Sequence, residues 1–182
     1  MKKIILIFTM ISVFSFSNER LNWDIFVGHD VYGFMKVDRI NLKKDYDKYS
    51  FTAKTNLSYK VYKSMDFILG FSYETYYMPE YKDSYNILPL TFGMRYIDES
   101  KKDINPYISL IYGSNILLNE EKFPISTDKN GYAEASLGVL YKDKYFSELT
   151  YKHHAFAYIP EWPSSKYWNG KMVGLNFGYR LK

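Results

Sequence analysis

The chain has 182 residues, no cysteine, 20 Tyr, 13 Phe and a formal charge of +4. That length fits one domain, and the lack of cysteine excludes thiol chemistry and disulfide stapling even in an exported form. The charge falls to +2 once Lys2 and Lys3 are removed, which gives no reason to expect a nucleic-acid partner.

The first seventeen residues, MKKIILIFTMISVFSFS, place two lysines before an apolar run from Ile4 to Phe16, then Ser15 and Ser17 at the spacing of a small-residue cleavage site. This is the pattern of a secretory signal peptide, and the apolar run of about 13 residues is short of the ~20 that a bilayer-spanning helix needs. Residues 1–17 are therefore expected to be a signal peptide and 18–182 the mature domain. No later stretch is a candidate transmembrane helix, because charges are spread too evenly along it.

From there the chain alternates almost throughout, the signature of strands whose side chains point to opposite faces. The first segment, WDIFVGHDVYGFMKV, is the least regular. His29 sits among its mostly apolar odd positions, while Phe26, Tyr32 and Phe34 fall among polar ones, a pattern a β-bulge would reconcile. The second, YSFTAKTNLSYKVY, sets Phe51, Ala53, Leu57 and Tyr59 against Thr52, Lys54, Asn56 and Ser58. FILGFSYETYY follows with Phe67, Leu69, Phe71 and Tyr73 against Gly70, Ser72 and Glu74. NILPLTFGMRY sets Leu88, Leu90, Phe92 and Met94 against Thr91, Gly93 and Arg95.

YISLIYGSNILL continues with Ile108, Leu110, Tyr112 and Ile116 opposite Tyr107, Ser109, Gly113 and Asn115. YAEASLGVLYK has Ala133, Ala135, Leu137 and Val139 opposite Glu134, Ser136 and Gly138. YFSELTYKHHAFAY has Tyr145, Leu149, Tyr151 and Ala155 opposite Glu148, Thr150, Lys152 and His154. The last segment, KMVGLNFGYRLK, sets Val173, Leu175, Phe177, Tyr179 and Leu181 against Gly174, Asn176, Gly178 and Arg180.

The connections alternate as well. Those near Lys63–Asp66 and Asp143–Lys144 are tight and Asp98–Asn105 is somewhat longer. Asn41–Lys48, Pro79–Tyr85, Asn119–Asn130 and Ile159–Gly170 are long and polar. An even strand number, aromatic-rich apolar faces and alternating short and long connections fit a membrane barrel with short periplasmic turns and long outer loops. The expected fold class is all-β, an eight-stranded antiparallel up-and-down transmembrane β-barrel, in a bacterial outer membrane. An exported soluble all-β domain is the alternative. The segments taken together resemble the small eight-stranded bacterial outer-membrane barrels of the OmpA-barrel and OmpX type. The last segment is similar to the C-terminal signal by which the barrel-assembly machinery recognises such proteins, although it ends Leu181-Lys182 rather than on an aromatic residue.

An eight-stranded barrel has an interior just wide enough for side chains to fill. Hairpins centred near Ser64, Asp143 and Ser164 would bring Lys54 opposite Glu74, Glu134 opposite Lys152, and Glu148 opposite Arg180, all facing inward. These six residues are expected to form a neutralising charge network, or else a narrow ion pathway.

The segment ELTYKHHAFAYIPEWP, on the penultimate strand before a long connection, resembles the lipid A 3-O-deacylase family. That family carries Tyr-x-His-x-Ser-Asn-Ala-Gly, with the catalytic His and Ser two apart on the lipid-facing side. His153 matches the catalytic His, but Ala155 holds the Ser position and Phe156 and Tyr158 replace the Asn and Gly. The resemblance covers the last third of the chain, and it implies either a hydrolase that has lost its nucleophile or shared barrel patterning. His153 and Ala155 are expected on the outward face near the outer edge of the bilayer.

His153 and His154, as strand neighbours, face opposite sides and do not suit one metal ion, and His29 reads as a packing or interfacial residue. No phosphate loop or spaced Cys/His set is present, so neither a cofactor nor a metal is expected. The functional expectation is a non-enzymatic envelope or surface-interaction protein acting through its long loops, with Trp162, Tyr167 and Trp168 as candidate contacts for a host-surface or cell-surface ligand. A narrow channel or solute-binding barrel is the alternative. Membrane lipid and lipopolysaccharide are the expected surroundings.

Overall fold

A computed structural model describes residues 20–37, 50–78, 83–100, 103–118, 126–157 and 167–181. The expected signal peptide lies outside the described residues. Eight strands follow in chain order: β1 (Leu21–Val37), β2 (Ser50–Tyr62), β3 (Met65–Met78), β4 (Asp83–Ile97), β5 (Ile104–Leu117), β6 (Ser126–Tyr141), β7 (Tyr145–Ala157) and β8 (Tyr167–Leu181). Each pairs antiparallel with the next, and β1 pairs with β8 to close the barrel. Closure leaves no unpaired sheet edge, which lipid would not tolerate.

The burial pattern is the inverse of a soluble protein's. Leu69, Phe92, Leu110, Leu137, Leu149 and Phe177 are all exposed, while Asp24, Glu74, Thr150, Lys152 and His154 are fully buried. Apolar side chains face out and polar ones fill the inside, so the two expected faces fall as the alternation implies.

The outward band ends in polar groups on the loop side. There Tyr73 donates to Asn86 at 3.1 Å, and Ser114 donates to Asn130 at 2.5 Å. At the other end lie the three short connections. The β6–β7 turn has positive φ at Lys142 (49°) and Asp143 (56°), as tight hairpin turns require.

The irregular first segment is explained by a register shift between Asp30 and Tyr32 against β8. Before the shift Phe26 points inward and after it Tyr32 points outward, 58 % exposed. Tyr32 thus leaves the polar face on which simple alternation puts it. Phe26 has a different reason, since its ring occupies the space left by its cross-strand partner Gly178. Asn56 fills the space over Gly70 and Asn176 that over Gly28 in the same way. Gly28, Gly70 and Gly178 are therefore seats for the residue opposite, which is how a narrow barrel accommodates large interior side chains.

Several strands run past the limits expected from sequence. β4 starts at Asp83, β6 at Ser126 and β8 at Tyr167, so Tyr167 and Trp168 open a strand, paired with Ala157 and Phe156, instead of lying in a loop. An antiparallel ladder continues into water without apolar side chains, because its hydrogen bonds are between backbones.

Candidate functional site

The interior is a stack of side chains contributed by all eight strands. At the end carrying the short turns, Asp24 of β1 and Asp66 of β3 meet Arg95 of β4 and Arg180 of β8. Arg95 Nη1 donates to Asp24 Oδ2 at 2.6 Å. Arg180 donates to both Asp24 oxygens, at 2.7 and 3.2 Å, and to Asp66 at 3.2 Å. Ser58 adds a bond to Asp24 at 3.1 Å.

Against this group lies an apolar cluster of Phe26, Ile97, Tyr107, Leu140 and Phe146. Both guanidiniums lie against the Phe146 ring, 4.9 Å from its centroid for Arg95 and 5.1 Å for Arg180. Phe26 and Tyr107 of this cluster already stand on the polar face in the sequence, whereas Ile97, Leu140 and Phe146 were not singled out there. The signal for Phe146 is its place between the outward Tyr145 and Ser147.

The next level is centred on Lys54, which donates to Glu134 at 2.7 Å and to Glu148 at 2.6 Å while lying over the Phe26 ring. Glu148 also accepts from the Tyr107 hydroxyl at 2.7 Å and from Asn176 at 2.9 Å. Glu134 accepts from Tyr132 at 2.5 Å and Ser136 at 3.0 Å. Toward the loop end, Lys152 lies 3.0 Å from Asp30 and 3.4 Å from Glu74, and donates to Thr52 at 2.8 Å. Glu74 is further held by Tyr76, by Ser72 at 3.0 Å and by His154 at 3.2 Å. Tyr132, 3.3 Å from Glu74, ties the two levels together.

All six residues expected in the lumen are buried there, but their partners differ from those expected. Lys54 does not pair with Glu74. The β2–β3 hairpin is centred at Lys63, with a bulge between Lys60 and Tyr62, so Ser72 stands opposite Lys54 and Thr52 opposite Glu74. Glu148 does not pair with Arg180 either, because the β7–β8 register places Asn176 opposite Glu148. Glu134 and Lys152 do stand opposite one another, yet their nearest charges are Lys54 and Asp30. Long side chains in a narrow lumen reach across it instead of along the wall.

Asp24, Asp30, Asp66 and Arg95 complete the network and were not singled out from sequence. The count that results is uneven. Among the described residues, six buried carboxylates (Asp24, Asp30, Asp66, Glu74, Glu134, Glu148) face four buried Lys or Arg (Lys54, Arg95, Lys152, Arg180). Neither amide atom of Asn56 has a hydrogen-bond partner among the described residues, nor has Asp30 Oδ2.

On the outer wall His153 alternates with the fully buried His154 and faces outward, as does Ala155. Its cross-strand neighbours are Ala133 and Lys171. Thr150 points inward and donates to Gly174 O at 3.3 Å, so it cannot serve His153 as a nucleophile. Ser164, Ser165 and Trp162 lie outside the described residues. His29 faces outward and its Nδ1 lies 2.6 Å from Ser50 O. No group of three His, Cys, Asp or Glu side chains suited to a metal ion occurs among the described residues.

No family model and no curated protein sequence matches the chain. Solved structures do. Neisserial surface protein A superposes with a TM-score of 0.54 at 8 % identity, covering 88 % of this chain and 97 % of its own. The fold is that of a small outer-membrane barrel. The attachment invasion locus protein Ail of Yersinia pestis gives 0.49 at 13 % identity over 88 % of this chain and 97 % of its own. The outer-membrane enzyme PagL gives 0.48 at 10 % identity over 85 % and 97 %.

Proposed function

We propose that the protein is a non-enzymatic outer-membrane barrel that anchors its long connections at the cell surface, where they meet a host-surface or cell-surface ligand. The observation that carries this reading is the filled interior. Ion-paired and hydrogen-bonded side chains from every strand occupy the lumen at successive levels, so the barrel serves as a scaffold and not as a wide pore. Three of the four connections opposite the short turns (38–49, 118–125 and 158–166) are the longest in the chain, the arrangement of barrels that present loops outward, while the β3–β4 connection shrinks to residues 79–82. Residues 1–17 act as the export signal in this reading, and the barrel-assembly machinery inserts the mature chain.

The absence of an enzyme activity belongs to the same proposal. His153 has the outward position that a deacylase histidine would need, but Ala155 offers no hydroxyl for it to activate. Three measurements on refolded protein test the reading. Migration on gels should change on boiling, fatty acid should not be released from lipid A, and planar bilayers should show no steady conductance. Release of fatty acid that His153→Ala abolishes would overturn the non-enzymatic assignment.

A narrow cation-passing barrel is the second reading, favoured by the excess of two carboxylates over Lys and Arg in the interior. Buried acids with amide groups lacking partners beside them are suited to water and small cations. A cation-selective conductance that falls in Glu134→Gln would support it over the scaffold.

A further inference from the structure

The outward wall of β5–β8 carries a depression of about 320 Å³, lined by Ile108, Ala135, Leu137, Leu149, Tyr151 and Val173. It arises from one small residue in a row of large ones. Leu110, Ala135, Tyr151 and Val173 are successive cross-strand partners from β5 to β8. One step toward the loop end, the corresponding row reads Tyr112, Ala133, His153, Lys171.

The depression lies over Ala135 and the turn-side row of Ile108, Leu137 and Leu149. Ala133, the next outward residue of β6, stands between Tyr112 and His153 and continues the strip of small side chains toward the loop end as a furrow. At the open end His153 and Lys171 are direct cross-strand partners, which brings their Cβ atoms to about 4.5–5.5 Å.

The chemistry changes along the furrow from entirely apolar to basic within two residues of strand. On the outward face of β5–β8, the one charged side chain among those described is Lys171. The tyrosine flanks, Tyr112 (54 % exposed) and Tyr151 (45 %), have the amphipathic character suited to headgroup depth. We propose that this furrow is a lipid site, taking one acyl chain of a phosphate-bearing anionic lipid along Ala133 and Ala135, with its phosphate against Lys171 and His153.

An ammonium group is a point-charge binder of phosphate, and an imidazole N–H adds a directed hydrogen bond. The inference rests on the barrel lying in a membrane with its loop end at headgroup level. Charge complementarity with Lys171 selects an anionic lipid over a zwitterionic one.

The test uses refolded full-length barrel in a neutral maltoside detergent, equilibrated with equal amounts of dimyristoyl phosphatidylglycerol and phosphatidylcholine and read by native mass spectrometry. Wild type should retain phosphatidylglycerol in preference. Lys171→Gln should reduce that preference by roughly fivefold, the scale of one basic residue facing an anionic lipid surface. Ala135→Leu, which fills the furrow with another lipid-compatible side chain, should lower retention of both lipids. Equal retention of the two lipids by wild type, or retention unchanged in both variants, would overturn the site. A failure of the barrel reading would register separately, as loss of the boiling-dependent gel shift in wild type.

Discussion

Two parts of the interior use the same ionisable chemistry in different proportions. At the turn end, Asp24 and Asp66 meet Arg95 and Arg180, two acids with two bases. Further up, Asp30, Glu74, Glu134 and Glu148 meet only Lys54 and Lys152, with His154 beside Glu74. The guanidiniums supply several directed donors each and stack on an aromatic floor, so the lower group is a fixed, balanced lock. The upper group relies on neutral donors instead. Tyr76, Tyr107, Tyr132, Ser72, Ser136 and Asn176 all donate to its carboxylates. The contrast teaches that a narrow barrel can hold surplus negative charge if hydroxyls and amides do part of the work of cations.

The comparison is broken most severely by removing Asp24. Its carboxylate accepts from Arg95, from Arg180 twice and from Ser58, and it is fully buried. Asp24→Ala leaves two guanidiniums to share Asp66, at 4.0 Å from Arg95 and 3.2 Å from Arg180. Breaking a buried pair in this way costs about 3–5 kcal/mol. Urea titration of the barrel in micelles, followed by the gel shift, should record that loss. A drop of under about 1 kcal/mol would mean that water reaches the group and that it is no lock.

Removing Lys152 tests the upper group. Lys152→Met leaves four carboxylates with Lys54 as their one Lys or Arg, and should cost about 3 kcal/mol near neutral pH. A Lys152→Met deficit of under about 1 kcal/mol would show that the upper acids do not depend on that ammonium.

How much of this was legible in the sequence follows from the range over which each cause acts. Alternation is local, so the strands and their outward faces could be read directly, as with Leu69–Phe71–Tyr73 or Leu175–Phe177–Tyr179. Charge partners depend on register, and register depends on turn details. A bulge between Lys60 and Tyr62 and a one-residue shift of the hairpin centre, from Ser64 to Lys63, moved Glu74 away from Lys54. Partners also depend on which strands face one another across the lumen. Lys54 of β2 meets Glu148 of β7, 94 residues away, and no hairpin argument reaches that far. The outward row ending in His153 and Lys171 was half legible, because the histidine stands in a recognisable segment while the lysine's place beside it depends on the β7–β8 register.

The mildest test trims the surplus itself. Glu134→Gln removes one negative charge from the group that has too many, and the amide oxygen can still accept from Tyr132 or Ser136. Lys54 keeps Glu148 at 2.6 Å. The loss of one charged hydrogen bond is then offset by relief of repulsion from Glu74 and Glu148, and the net change should stay within about 1 kcal/mol of wild type. Glu148→Gln should behave alike, since Tyr107 and Asn176 can serve an amide oxygen in place of the carboxylate. The double variant differs in kind. It deprives Lys54 of both negative charges and leaves the buried ammonium only neutral amide oxygens and the Phe26 ring, so its cost should exceed the sum of the single costs by roughly 1–3 kcal/mol. Additivity in that cycle would mean that Lys54 does not bind the two carboxylates jointly, and the upper group would then be independent pairs instead of a shared surplus.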